Sequence, residues 1–325
     1  MEEKNKKTLH TPLKYGFKEG AEKFPLVILV ATSSPCNAKC PHCPCTIQPS
    51  IRDTEDFFIR PEYFKKLVDE ASSYGTAIRL SGYGEPMLHP NFFEIIEYGK
   101  SHGANLSLIT NGSLLNEEKI KKLIDLDIDS IEISCDSHKK EIYEKIRVGL
   151  NFDKVVANIK KLVEVRDKAN KKTSIMVSII NQPSRNPDMK GAEAYWSKIV
   201  DKVMVRSYVT WGILPAVDYG EPYMNLEDRQ PCPYPFERLM VDPAGYFRLC
   251  PYDDQKLIPP LGHIAKDSIK AVWHSQRFNK IREGHLSRNF KQVELCNNCT
   301  DYAYRSWGYN YQKALKDARK KMNDK

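Results

Sequence analysis

The chain has no apolar run longer than the six residues 26–31. A membrane-crossing helix needs about 20, so a helical membrane protein is excluded. The first twenty residues carry charges but no apolar core, so no secretory signal is expected. No internal repeat of 20–50 residues is visible, which argues against a solenoid or propeller. Acidic excess is also lacking: 50 Lys and Arg stand against 42 Asp and Glu, a net charge of +8. Six of those cations, against two Asp, fall in residues 313–325. A solvated terminal helix explains that stretch most simply; an acidic protein partner or weak nucleic-acid affinity is the sharper alternative.

What is present is more telling. The 325 residues, 41% of them hydrophobic, suffice for about two domains. The nine cysteines form three groups: Cys36, Cys40, Cys43 and Cys45; then Cys135 alone; then Cys232, Cys250, Cys296 and Cys299. Without a signal, the expected compartment is the reducing cytoplasm, where clustered thiols point to metal or catalysis rather than disulfides.

Between residues 25 and 209, strand-like runs alternate with amphipathic helical segments. Strands are expected at 26–31, 77–80, 105–109, 130–136, 173–180 and 203–209, and helices at 61–73, 92–102, 117–125, 152–168 and 191–200. Such alternation predicts a parallel α/β sheet. In the fourth strand Ser130, Glu132, Ser134 and Asp136 are polar, whereas Ile131, Ile133 and Cys135 are apolar. Period two puts these sets on opposite faces. A polar inner face favours a partial barrel over a doubly wound sheet. After about residue 219 turns dominate. A hairpin is expected from 236–241 and 246–250 around Asp242-Pro243-Ala244-Gly245, then short helices near 268–275 and 276–283.

The chemistry-bearing motifs sit after strands. Cys36-Asn-Ala-Lys-Cys40-Pro-His-Cys43 follows the first strand. Three soft thiolates in a tight loop suit an iron–sulfur cluster better than zinc, which usually takes four protein ligands. A zinc site completed by His42 or Cys45 remains the alternative. Ser81-Gly82-Tyr83-Gly84-Glu85-Pro86 follows the second strand. Its glycines allow close backbone approach and its carboxylate can meet an ammonium group. Both loops fall at the C-terminal ends of neighbouring parallel strands, where α/β ligand sites form.

These motifs, with Ile109–Leu115 (ITNGSLL) and the stretch 133–162, resemble the radical S-adenosylmethionine (radical SAM) superfamily over nearly the whole chain after residue 26. The resemblance implies a partial (β/α)6 TIM-like barrel. It implies that Cys36, Cys40 and Cys43 hold a 4Fe–4S cluster whose open iron chelates SAM. Gly84 and Glu85 match the motif that contacts the SAM amine. Ser134 and Arg147 match positions that bind its carboxylate, and Asn111 lies in a motif bordering the pocket. The cluster's electron would cleave SAM to a 5′-deoxyadenosyl radical that abstracts hydrogen from substrate.

By spacing alone, Cys232, Cys250, Cys296 and Cys299 fit a structural zinc about as well as an iron–sulfur cluster. Their surroundings (Gly245–Cys250, 261–264, 269–275 and 296–299) resemble the SPASM/twitch extension of radical SAM enzymes, with spacing similar to that of aminocyclitol dehydrogenases. This implies a small C-terminal cysteine-rich α+β domain holding a second, auxiliary 4Fe–4S cluster that accepts an electron. Cys45 is expected to be a bystander, and Cys135 a core residue pointing away from the barrel interior.

The expected organisation is a lead-in at 1–24, the barrel at 25–215, the auxiliary-cluster domain at 216–310 and a basic tail at 311–325. The expected activity is that of a radical SAM oxidoreductase on a small polar substrate, sugar or aminocyclitol-like, with a flavodoxin- or ferredoxin-type electron donor. Arg206 is expected to anchor that substrate and Trp211 to wall it. The alternatives are a peptide- or protein-modifying enzyme, an epimerase, or a non-catalytic metal scaffold binding nucleic acid. The intact Ser81–Pro86 motif counts against the scaffold.

Overall fold

The computed structural model describes residues 20–52, 56–209, 231–251, 253, 258–297 and 299. Trp211, the boundary expected near 215 and the basic tail lie outside them. In chain order the first half comprises β1 (Val27–Val30), α1 (Pro44–Ile47), α2 (Pro61–Ser72), β2 (Ala77–Leu80), α3 (Phe92–Ser101), β3 (Asn105–Thr110), α4 (Glu117–Asp125) and β4 (Ser130–Ser134). Then come α5 (Lys140–Ile146), α6 (Phe152–Lys168), β5 (Ser174–Asn181), α7 (Met189–Trp196) and β6 (Lys202–Ser207). The C-terminal region adds α8 (Tyr234–Glu237), β7 (Arg238–Val241), β8 (Tyr246–Arg248), β9 (Gly262–His263), α9 (Ile269–Trp273), α10 (Gln276–Leu286) and α11 (Glu294–Asn297).

Strands β1 to β6 pair in parallel in sequence order, forming the TIM-like partial barrel. Alternation along each strand decides which face is which. Ile28, Val30, Ile78, Leu80, Leu106, Leu108, Ile131, Ile133, Ile175, Val177 and Ile179 are buried in one continuous core with the helices. Cys135 is fully buried there too, as its place on the apolar face requires. The opposite face carries Arg79, Ser107, Ser130 and Glu132, with Ser130 Oγ donating to Ser107 Oγ at 2.8 Å.

Helix starts follow local chemistry. Asn116 and Asn151 cap α4 and α6 by accepting from the backbone N–H three residues on. Proline opens α2, where its missing N–H has no helical partner to lose.

The expected hairpin forms, but it does not stand apart from the barrel. β7 pairs in parallel with β1, Ile28 opposite Leu239, and β8 and β9 follow antiparallel. The result is one nine-stranded sheet in the order β6-β5-β4-β3-β2-β1-β7-β8-β9. The C-terminal region therefore covers the edge of β1 that an open barrel would leave exposed. No helix among the described residues is long and apolar enough to cross a membrane.

Candidate functional site

Three loops converge at the C-terminal ends of β1, β2 and β3. The cysteine loop follows β1. Cys40 is buried and Cys36 and Cys43 are half-buried; none of the nine cysteines is in a disulfide. Cys43 N donates to Cys40 O at 3.0 Å, and Lys39 N to Val148 O at 2.8 Å, which ties the loop to the chain after α5. Cys45 is buried in a second apolar cluster with Leu29, Ala31, Ile51, Tyr83, Tyr234 and Met240, against which Cys43 also packs.

The loop after β2 lies directly on the cysteine loop. Glu85 N donates to Pro35 O at 2.9 Å. A Cβ on Gly84 would stand 2.6 Å from the Ser34 carbonyl carbon and closer still to Pro35 O. Only glycine permits this approach. The Glu85 side chain turns inward and is buried. Its carboxylate accepts from Thr110 Oγ1 at 2.7 Å, Asn111 N at 2.8 Å and Met87 N at 3.2 Å. Burial pushes its pKa up despite these donors. In this structure Glu85 joins the β2 loop to the β3 loop.

Asn111 closes a polar ring with the cysteine loop. Its Nδ2 donates to Asn37 Oδ1, Asn37 Nδ2 donates to Ser113 Oγ, and Ser113 Oγ donates back to Asn111 Oδ1, all at 2.7–2.8 Å. Ser134 ends β4 opposite Ser178 of β5. Arg147, at the end of α5, points back to the same place. Its Nε donates to Asp136 Oδ2 at 2.6 Å and one terminal nitrogen lies 3.8 Å from Cys40 Sγ. Asp136 is fully buried and also accepts from Ile180 N at 2.7 Å. Burial raises the Cys40 pKa, while Arg147 opposes the rise. His42 is buried, its Nδ1 has no hydrogen-bond partner, and burial and Arg147 lower its pKa to about 3.

Arg206 does not stand alone. Its Nε and a terminal nitrogen donate to Glu132 Oε1 at 3.1 and 2.7 Å, and the latter to Oε2 at 2.8 Å. Arg79 reaches the same carboxylate from the other side at 2.9 Å. One buried acid thus bridges β2, β4 and β6 and leaves one net positive charge on the inner face.

Two cysteines of the second set, Cys232 and Cys296, meet at His285 of α10. Cys232 N donates to His285 Nδ1 at 3.2 Å, and His285 Nε2 stands 3.4 Å from Cys296 Sγ. Cys299 N donates to Cys296 O at 3.3 Å. Cys232 and Cys250 pack against the apolar cluster of Leu29, Tyr83, Tyr234 and Met240, and so does Cys43 of the first set. Two groups of reduced thiols therefore flank a single apolar cluster. Among the described residues no three metal-binding side chains stand close enough to hold one ion. Cysteine sulfurs are the donors iron–sulfur clusters take, and those ligands are spread over several irons rather than gathered on one.

The sequence motifs brought together here are Cys36, Cys40, Cys43, Gly84, Glu85, Asn111, Ser134 and Arg147. Thr110, Asn37, Ser113, Asp136 and His285 were not singled out. Asp136 and Arg147 both lie in the 133–162 stretch, but nothing local in it marks their pairing across 11 residues.

Residues 31–184 match the model of the radical SAM superfamily, and residues 232–300 match that of the SPASM iron–sulfur cluster-binding domain. The AdoMet-dependent heme synthase of Methanosarcina barkeri is 31% identical over 140 residues, 42% of this chain and 39% of the relative. A probable GTP 3′,8-cyclase of Methanococcus maripaludis is 35% identical over 132 residues, 40% of this chain and 43% of the relative. The chain thus matches about two fifths of the length of these curated relatives. In fold, it resembles BtrN in complex with AdoMet and 2-DOIA, with TM-score 0.56, 18% identity, and 85% of this chain and 93% of that one covered.

Proposed function

Because the chain belongs to the radical SAM superfamily and carries a SPASM domain behind its barrel, we propose that it oxidises an alcohol of a small polar metabolite, a sugar or an aminocyclitol. When bound, the first 4Fe–4S cluster supplies an electron that cleaves SAM, and the resulting 5′-deoxyadenosyl radical takes a hydrogen atom from substrate carbon. Cys36, Cys40 and Cys43 would hold that cluster. Gly84 and Glu85 would meet the SAM amine, Ser134 and Arg147 its carboxylate, and Asn111 would border the pocket. Arg147 is set for this by Asp136, which fixes the guanidinium beside Cys40. The inner face, with one positive charge left over from Arg79, Glu132 and Arg206, would receive the polar substrate.

A substrate radical that loses one more electron and a proton becomes a carbonyl. Cys232, Cys250, Cys296 and Cys299 would hold the second 4Fe–4S cluster to which that electron passes, and a flavodoxin- or ferredoxin-type protein would supply the first one. The observation that carries this reading is the shared apolar cluster: Cys43 on one side and Cys232 and Cys250 on the other pack against the same residues. The test is anaerobic turnover with deuterated sugars and aminocyclitols. Deuterium in 5′-deoxyadenosine together with a ketone product supports the proposal. Deuterium transfer from a peptide, with none from these alcohols, would replace it with peptide modification.

A further inference from the structure

His285 is fully buried, and its ring is flanked edge-on by Phe236 and Phe290. A buried imidazole with no role in packing alone would need both nitrogens satisfied. Here both partners are cysteines of the second set. The backbone N–H of Cys232 donates to Nδ1, so Nδ1 is an acceptor and the ring's proton is on Nε2. That N–H faces Cys296 Sγ at 3.4 Å. The tautomer is therefore fixed by one cysteine and spent on the other.

We propose that His285 is a positioning residue that raises the reduction potential of the second cluster by donating Nε2–H to the Cys296 sulfur. This rests on the reading that Cys232, Cys250, Cys296 and Cys299 hold that cluster. A hydrogen bond to a cluster sulfur stabilises the more negative, reduced state. In a dry setting such as this, where His285 is closed off by two aromatic rings, the effect is stronger than in water. Arg282 of the same helix acts in the same direction. Arg282, one turn earlier, is buried and donates to Pro235 O, Trp273 O and Asn279 Oδ1; among the described residues it has no ion pair with a carboxylate. It adds a buried positive charge beside the strand of chain that carries Cys232. A higher potential makes the second cluster a better acceptor of an electron from substrate.

The test is a redox titration, followed by electron paramagnetic resonance, of the holoenzyme and two variants. His285→Leu removes the donor; His285→Gln keeps an N–H at about the reach of Nε2. The Leu variant should keep its iron and shift the oxidised-to-reduced ratio about tenfold at fixed potential, which is a lowering of about 59 mV for one electron. The Gln variant should recover most of that, and the first cluster should not move. An unchanged potential in an iron-replete Leu variant overturns the proposal. If the Leu variant fails to assemble, pulsed resonance on enzyme labelled with 15N-histidine decides. A weak coupling to the reduced second cluster, lost in the Gln variant, supports the hydrogen bond; no such coupling, or the strong coupling of a directly bound nitrogen, overturns it. Wild-type enzyme with iron for one cluster only, or with zinc at the second site, would instead remove the cluster reading itself and the proposal with it.

Discussion

Glu85 has more partners in the structure than its motif suggests. Its position after β2 matches a SAM-contacting motif, yet in the structure its carboxylate already accepts three hydrogen bonds. A carboxylate offers about four lone-pair sites, so one is left for an ammonium group. Glu85→Ala should therefore do two things. It leaves the buried Asn111 N–H and the Thr110 hydroxyl unpartnered, which costs about 1–3 kcal/mol and lowers the melting temperature by several degrees. It also weakens SAM binding by about tenfold or more, because a hydrogen bond to a charged group is worth about 1.5–3 kcal/mol. Calorimetric titration of SAM into reconstituted enzyme checks the second effect; unchanged affinity would confine Glu85 to joining the loops. His89, beside the same loop, carries a pH dependence. It bonds to Ile59 O through Nε2 and accepts from Asn91 N through Nδ1, so it is neutral, and burial lowers its pKa from the ordinary 6.5. The unfolded chain then binds the proton more readily than the folded one. The stability that His89 contributes is present above pH 6.5 and is lost as pH falls below it. Urea midpoints at pH 7.5 and 5.5 should differ less in His89→Gln than in the natural chain.

At the scale of elements, the barrel depends on how closely its loops can pack. Gly84→Ala would drive a methyl group into the Pro35 and Ser34 backbone, and the Glu85 N to Pro35 O bond could not survive the separation. Iron content should fall toward half, with SAM cleavage lost, while far-ultraviolet circular dichroism stays unchanged. Full iron with normal cleavage would show that the two loops need not touch. Most of the elements behind this geometry are legible locally. Period-two alternation in 130–136 and amphipathic spacing in 117–125 and 152–168 identify β4, α4 and α6 because each buries one face in the same core. α5 is not legible: in Lys140–Ile146 only Tyr143 and Ile146 are buried, too few to mark a helical stripe. Glu132 is visible as a polar residue, but its partners Arg79 and Arg206 lie 53 and 74 residues away. Arg206 was expected to reach for substrate, and it spends its fork on Glu132 because a buried carboxylate must be paired. His285 gives no local signal at all, since its partners are separated from it by 53 and 11 residues without a regular spacing.

The nine described strands form one sheet, and this governs what loss of the second cluster site would do. β7 lies on β1, and β1 leads directly into the loop of Cys36, Cys40 and Cys43. On the proposed assignment the first cluster takes no thiol from the second set. Replacing Cys296 and Cys299 together with Ala should therefore remove the second set of iron and leave SAM cleavage running. If the second cluster accepts the electron from substrate, the double variant should form 5′-deoxyadenosine without oxidised product. Metal binding can be coupled to the folding of a small region, and strands β7 to β9 belong to the same sheet as the barrel. Circular dichroism and solubility must therefore match the natural chain before the product result is read. A folded double variant that makes normal product would mean that the second cluster does not carry the substrate's electron. If that product is at the oxidation level of the substrate, the reaction is redox-neutral, such as an epimerisation, in which a hydrogen atom must be returned to the substrate radical; if it is a ketone, the electron must pass to another acceptor, such as the first cluster.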